Sequence, residues 1–249
     1  HELQGGDSKL EWTAGYGLAW SKEPDFRRIR TVRDINTGDA DTPFQTIIPP
    51  GATTLDAGRF FSDMNEQVKT GRIDYERKLQ GERISAKIRA GVYAELKDRE
   101  FEARWMSFRA ANLITYDQSL AFKPLDQVFA PENINGTTGF KLEEGTNPSD
   151  RYTASNKLYA AYLGGTISIN SNTTISAGAR AEHNTQQLQS RTFGGRRVLV
   201  NNPVLSILPS VNLARSITER AQVRLAWSTT VNRPEFRELA PFAFYDFSF

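Results

Sequence analysis

At 249 residues the chain is long enough for one large β domain or two smaller ones, with an ordinary 24% charged and 39% hydrophobic residues. No run of about 18 apolar residues exists, which excludes a transmembrane helix but leaves open a membrane β-barrel, whose apolar residues are diluted by alternation. Cysteine is absent, so no disulfide supports the fold, and a net charge of +2 is too small to point to nucleic acid.

Read from the N-terminus, the chain opens on His1 with no signal peptide ahead of it, and is expected to be a processed or excised piece of something longer. HELQ leads through the turn Gly5-Gly6-Asp7 into KLEWTAGYGLAWS, where Leu10, Trp12, Ala14, Tyr16, Leu18 and Trp20 occupy every second position. Period two puts them on one face of a strand. DFRRIRTVR follows, with Arg27, Arg28, Arg30 and Arg33, then a polar segment from Asp34 to Gly58. Within it DINTGDAD (Asp34, Asn36, Asp39, Asp41) resembles a calcium loop, but Gly38 and Asp39 stand where that pattern needs an acid or amide and then glycine. No metal site is expected.

GRIDYERKL alternates Ile73, Tyr75 and Leu79 with Arg72, Asp74, Glu76 and Lys78, and turns at Gln80-Gly81-Glu82. ISAKIRAGVYAELK has the strictest pattern: Ile84, Ala86, Ile88, Ala90, Val92, Ala94 and Leu96 against Ser85, Lys87, Arg89, Tyr93, Glu95 and Lys97. It continues through DREFEARWMSFRA without a turn signal, giving about 25 extended residues where globular strands run about 3–10. A loop is expected from Asn112 to Asp150. Beyond it Tyr159, Ala161, Leu163, Ile167 and Ile169 alternate, then Ile175, Ala177, Ala179 and Ala181 with Arg180 and Glu182 reversed. After a further loop from Arg191 to Pro203 come Leu205, Ile207, Val211 and Leu213, then Val223, Leu225, Trp227 and Val231.

These seven segments predict an all-β antiparallel meander of long strands. Tight turns and long loops alternate, as in outer-membrane barrels with short periplasmic turns and long extracellular loops. The expected architecture is therefore a partial transmembrane β-barrel. On that reading Trp12, Tyr16, Trp20 and Trp227 face lipid, and Lys87, Arg89, Glu95, Lys97, Arg180, Glu182 and Arg224 face the lumen. Arg27, Arg28, Arg30 and Arg33 lie at the loop end, where guanidinium groups can grip lipopolysaccharide phosphates. A soluble β-sandwich recognition module and a passive porin-like channel are the alternatives.

Enzymatic chemistry lacks a catalytic set: His1 and His183 are the only histidines, and Glu143-Glu144 lies in a polar loop instead of across a cleft. His183 shares the parity of Ala179 and Ala181, as a wall residue would. The aromatic run Phe242, Phe244, Tyr245, Phe247 and Phe249 is expected to be buried against neighbouring loops.

The stretch RLAWSTTVNRPEFRELAPFAFYDF, with Asn232-Arg233-Pro234-Glu235-Phe236-Arg237-Glu238-Leu239 at its centre, resembles the barrel of TonB-dependent outer-membrane receptors. The branch it resembles carries a carboxypeptidase-like regulatory domain before the plug. LPSVNLARSITERAQVRLAWS, KLYAAYLGGTISINSNTTISAGARAEHNTQ and GVYAELKDREFEARWMSFR are similar to earlier hairpins of the same barrel. The resemblance implies about 22 strands around a separate plug, of which residues 1–249 supply roughly a third. It also implies residence in the outer membrane, contact with lipopolysaccharide, and TonB engagement through a plug outside these residues. It implies no cofactor. Uptake of a siderophore, vitamin or oligosaccharide is the activity implied, with the long loops, Thr137 to Asn147 among them, as candidate ligand contacts.

Overall fold

The computed structural model describes residues 2–34, 42–53, 56–170 and 172–243. Alternating sequence becomes long antiparallel strand: β1 (Glu2–Gly5), β2 (Ser8–Arg28), β3 (Thr31–Val32), β4 (Gln45–Thr46), β5 (Gly58–Gln80) and β6 (Ile84–Ala110). β7 (Phe140–Glu144), β8 (Arg151–Ile169), β9 (Thr173–Arg191), β10 (Arg197–Thr218) and β11 (Ala221–Ser228) follow, and a single helical turn, α1 (Phe236–Leu239), ends the described chain. One nine-stranded sheet runs β1-β2-β5-β6-β8-β9-β10-β11, with β7 attached to β6, while β3 and β4 form a separate hairpin. Each long strand pairs with its neighbour in sequence, which is the predicted meander.

The register keeps every apolar set on one face. Trp12 lies opposite Ile73, Ile73 opposite Val92, Val92 opposite Ala161, Ala161 opposite Ala181, and Ala181 opposite Ile207. Val211 then meets Trp227 on the last strand. A slip of one residue in any pair would move an apolar set to the charged face, so register and amphipathicity fix each other. Trp12, Tyr16, Trp20 and Trp227 are 44, 61, 75 and 60% exposed, so no second sheet covers this face among the described residues. That is the opposite of a sandwich core.

β6, at 27 residues, is the longest strand and changes partners along its length. It pairs with β8 up to Glu102, opposite Arg151, and its last turns, Met106 to Ala110, pair with β7. The strand end that the sequence leaves unpartnered is thus covered by its own loop.

Two of the expected loops are differently built. The segment read as a loop from Arg191 to Pro203 is mostly strand: β9 runs through Arg191 and β10 starts at Arg197, with Thr192 donating to the Arg196 carbonyl across a short turn. Long and short connections therefore do not alternate strictly. The segment from Asn112 to Asp150 has its own core, in which Leu120, Val128 and Phe140 pack with Ile48, Phe108, Tyr116 and Phe129. Phe108 stacks on Phe129 at 4.4 Å. Ile48, from the β2–β5 connection, joins the two long loops into one unit.

Candidate functional site

The charged face carries a ladder of polar pairs, some across strands and some two residues apart on one strand. Lys9 contacts Glu2 at 3.3 Å and Glu11 at 2.7 Å near the tight-turn end. Glu76 accepts from Arg89 at 2.7 Å and pairs with Lys87 at 3.2 Å. Asp74 accepts from the Tyr162 hydroxyl and pairs with Arg72. Gly91 makes room for that cluster, since a Cβ there would lie 2.6 Å from both Asp74 and Tyr162. Further along, the Tyr93 hydroxyl donates to Glu95 at 2.7 Å and Arg99 Nε to Glu66 at 2.6 Å.

Onto this face folds the segment after β11. Thr229 N–H donates to the Pro209 carbonyl at 3.0 Å, and the chain then crosses the sheet instead of extending it. Arg233 donates to Glu182, whose other oxygen accepts from Arg180 Nε at 2.6 Å. Gln186 donates to the Pro234 carbonyl at 2.8 Å. Pro234 starts the turn, and Glu238 accepts from the Glu235 N–H at 3.0 Å, satisfying one orphan donor of α1.

Phe236 is the anchor. It is 3% exposed, in a cluster with Tyr152, Ala154 and Leu188, and the Arg99 guanidinium lies 5.2 Å over its ring. Phe242 closes the segment edge-on to Phe101 at 5.0 Å. Ala154 and Leu188 interrupt polar positions of β8 and β9, and Leu188 lies between Gln187 and Gln189. Those breaks in the polar pattern are the signal that a segment packs there. Below the segment, Asn156 and Asn184 each present a buried Oδ1 without a hydrogen-bond partner among the described residues. Two buried acceptors thus lie near the Glu182 pair, where an ordered water would satisfy them.

The loop end is rigidly assembled. Asn135 Oδ1 accepts from the N–H groups of Thr137, Thr138 and Gly139 at 3.1, 2.9 and 2.9 Å. Trp105 Nε1 donates to Asp150 at 3.0 Å, and Asp150 also accepts from Asn147 N–H at 2.7 Å. Gly145 lies against the Trp105 ring, 2.0 Å from where its Cβ would be. Gly145→Ala is therefore expected to displace Trp105 and destabilise the loop by about 1–3 kcal/mol. Hydrogen exchange at Asn147 and Asp150 should accelerate, with the β8–β9 amides unchanged.

At the end of β2 a bulge between Glu23 and Phe26 reverses parity, so Arg27 falls opposite Arg59. Asp25 accepts from Arg59 at 2.8 and 2.9 Å and from Arg27 at 2.7 Å, which pulls its carboxyl down to about 2. Because the folded value is depressed, this contribution is fully present above the unfolded value of about 3.9 and lost as pH falls through about 2. Protection of the Arg27–Gly58 end should hold from pH 7 to about 4 and fall between about 4 and 2. Unchanged exchange down to pH 2 would show that the pair does not hold the bulge.

The remaining predicted residues are readily placed. Lys87, Arg89, Glu95, Lys97, Arg180, Glu182 and Arg224 all lie on the charged face. Only Arg180 and Glu182 touch the crossing segment or its partners. Arg224 Nε donates to Gln222 at 2.8 Å, near the tight-turn end. His183 lies on the apolar face between Tyr159 and Leu205. Arg30 pairs with Asp56 at 2.7 Å and Arg33 lies 5.0 Å over the Phe44 ring. Arg28, opposite Gly58, points the other way from Arg27. Asn36, Asp39, Asp41, Phe244, Tyr245, Phe247 and Phe249 fall outside the described residues, among which no three acidic or imidazole groups assemble into a metal site.

No curated protein matches the chain significantly. The solved structure of the ferric citrate transporter FecA, in the unliganded form, is similar at a TM-score of 0.52 and 14% identity, over 90% of this chain. The chain spans 25% of that transporter's length, so the likeness concerns the fold of one part of it. The profile of the outer membrane protein beta-barrel family matches residues 34–248. An apolar face left uncovered over eight strands, a charged face rich in ion pairs, and this match lead to one assignment: the chain belongs to the outer membrane protein β-barrel family.

Proposed function

We propose that the chain is part of the barrel wall of a TonB-dependent outer-membrane receptor that imports a siderophore, vitamin or oligosaccharide. It belongs to the branch with a carboxypeptidase-like regulatory domain ahead of the plug. The observation that carries this reading is the segment Thr229–Phe242, folded onto the charged face and locked there by Phe236 and Glu182. A channel wall open to water has no need to bury an aromatic on its polar side. A wall that meets a plug does, because the segment narrows the space and offers a fixed surface.

Dimensions agree with a membrane wall. Outward apolar residues on β6 run from Ile84 to Leu96, about 40 Å along the strand, which a 35–45° tilt reduces to about 30 Å of height. That matches a hydrocarbon core of about 30 Å. The rest of β6, with the loop core around Phe140, stands beyond the bilayer on the outer side. There Arg27, Arg28, Arg30 and Arg33 approach lipopolysaccharide, Arg27 being 69% exposed despite its bond to Asp25. Lys87, Arg89, Glu95, Lys97, Arg180, Glu182 and Arg224 line the lumen. The edges at β1 and β11 meet the remaining strands of a closed barrel, since open edges in hydrocarbon leave backbone groups unsatisfied at several kcal/mol each.

The test is uptake by cells carrying the full-length protein under nutrient limitation, with and without TonB, alongside solute flux through the purified protein in liposomes. Uptake that vanishes without TonB, with liposomes closed to small solutes, is the expected result. TonB-independent uptake with steady passive flux would establish a porin instead.

A further inference from the structure

Above the row of Leu96 the outward face of the sheet leaves the apolar belt and carries charges. Most are paired within the chain: Lys22 with Asp63, Arg27 and Arg59 with Asp25, and Arg104 with Glu144. Six are not, and they are sorted by sign. Asp98, Glu100 and Glu102 occupy three successive outward positions of β6. Arg151, Arg191 and Arg197 stand beside them at the loop ends of β8, β9 and β10. All six are exposed, and none forms an ion pair among the described residues. Like charges two positions apart on one strand face repel, and here the chain gives the three carboxylates no relief. Glu102 lies directly opposite Arg151 and still does not bond to it. A hollow of about 660 Å³ opens there, lined by Glu100, Glu102 and the three arginines.

A surface that complements this patch carries the same charges in the reverse order. The patch is neutral as a whole, three carboxylates against three guanidiniums, so a polyanion that reaches the arginines also meets repulsion from β6. Two copies of one chain in one membrane share its normal. When they face each other about a two-fold axis along that normal, the left side of one wall lies against the right side of the other. With the axis between β6 and β8, the acidic strand of each copy faces the arginine-bearing strands of the other, on the same side of the bilayer. Lipid already solvates the apolar belt below, so burying that belt adds little drive, and the choice of partner falls to the polar residues above it.

We infer that this patch is the contact surface of a homodimer, in which Asp98, Glu100 and Glu102 of each copy bind the arginine side chains of the other. The inference rests on the barrel-wall reading, which puts both copies in one membrane with their long loops on the same side. The hollow gives the incoming guanidinium groups room beside Glu100 and Glu102. The chain's own ion pairs on this face, at Asp25, Asp63 and Glu144, remain as they are.

The experiment uses the full-length protein, produced with two different affinity tags in the same cells and extracted in mild detergent. Capture through one tag should bring down the other. Two charge-reversed variants follow, Glu100→Arg with Glu102→Arg, and Arg151→Glu with Arg191→Glu. Either variant produced in both tagged forms should lose co-capture about tenfold, because like charge then faces like charge. The two variants produced together should regain it, since one is now basic in both halves of the patch and the other acidic in both. That recovery also shows that each variant folds. Co-capture unchanged by the reversals would overturn the dimer, and so would a loss that the mixture does not repair. A parent protein that captures a different membrane protein and no second copy of itself would overturn it too. TonB-dependent uptake is read apart from co-capture, so an import reading that fails while the charge reversals repair each other would leave the dimer standing.

Discussion

Phe236→Ala is expected to free the crossing segment from the charged face while leaving the sheet in place. The side chain is 3% exposed against Tyr152, Ala154 and Leu188, and Arg99 stacks on its ring. Removing a buried phenyl costs about 3–5 kcal/mol, from lost transfer energy and the cavity left behind. Leu239, the other apolar residue of α1 against this cluster, is only partly buried, and a helix of four residues has almost no stability of its own. The remaining attachments are Arg233 to Glu182 and Gln186 to the Pro234 carbonyl at one end of the segment and the edge contact of Phe242 with Phe101 at the other. Hydrogen exchange at Glu238 and Ala240, whose N–H groups bond within the turn, should rise toward that of open chain. Amides of β8 and β9 should keep their protection. In the full-length protein the liposomes should begin to leak small solutes. Unchanged exchange at Glu238 and Ala240 would mean that the ring is not the anchor. A double-mutant cycle with Arg233→Ala should show coupling, since both residues hold one segment.

That segment also shows where sequence was legible and where it was not. The strands were readable because the bilayer demands one apolar face, and alternation is strict from Leu10 to Trp20 on β2 and from Ile84 to Leu96 on β6, while on β5 Arg77 interrupts it. The demand stops at the belt edge. Beyond it neither face of a strand needs to be apolar, so Arg197 to Pro203 has no alternating signal, and the Gly194-Gly195 ahead of it and its own Asn-Asn-Pro read as loop, although the backbone stays paired with β9. The same absence of constraint hid the loop core, whose contacts join Ile48 to Phe140 across more than one connection. The stretch Asn232 to Leu239 was recognisable only by resemblance. Its place on the charged face follows from Leu188 and Ala154, apolar residues at polar positions, which mean something only once the two strands are known to be neighbours. Side-chain pairing was the least legible. The parity of Glu182 is plain from alternation, but its bond to Arg233 spans a separation that no local pattern reports.

The sharpest consequence of the membrane assignment concerns Val92. It is 51% exposed on the apolar face, between Ile73 and Ala161 and close to the middle of the belt from Ile84 to Leu96. Val92→Arg puts a guanidinium into hydrocarbon and should cost about 2–4 kcal/mol, the range for a cation near the bilayer midplane on a barrel wall. The side chain is too far from either interface to carry its charge fully into water. Leu158→Arg is the matched comparison. It lies on the charged face directly opposite Glu95, where a new cation meets an existing carboxylate, and it should cost less than about 1 kcal/mol. Arginine placed in turn at Ile84, Ile88, Val92 and Leu96 should therefore give a profile that peaks near the middle and falls to about 0–1 kcal/mol at Leu96, between Lys69 and Lys157. Reversible unfolding of the full-length barrel into lipid vesicles measures each value. A sandwich core predicts a different profile, because burial under a second sheet would penalise all four sites by packing and would not change with bilayer thickness. Lipid depth makes the peak move when thicker or thinner bilayers are used, and a flat profile insensitive to thickness would refute the outward orientation of this face.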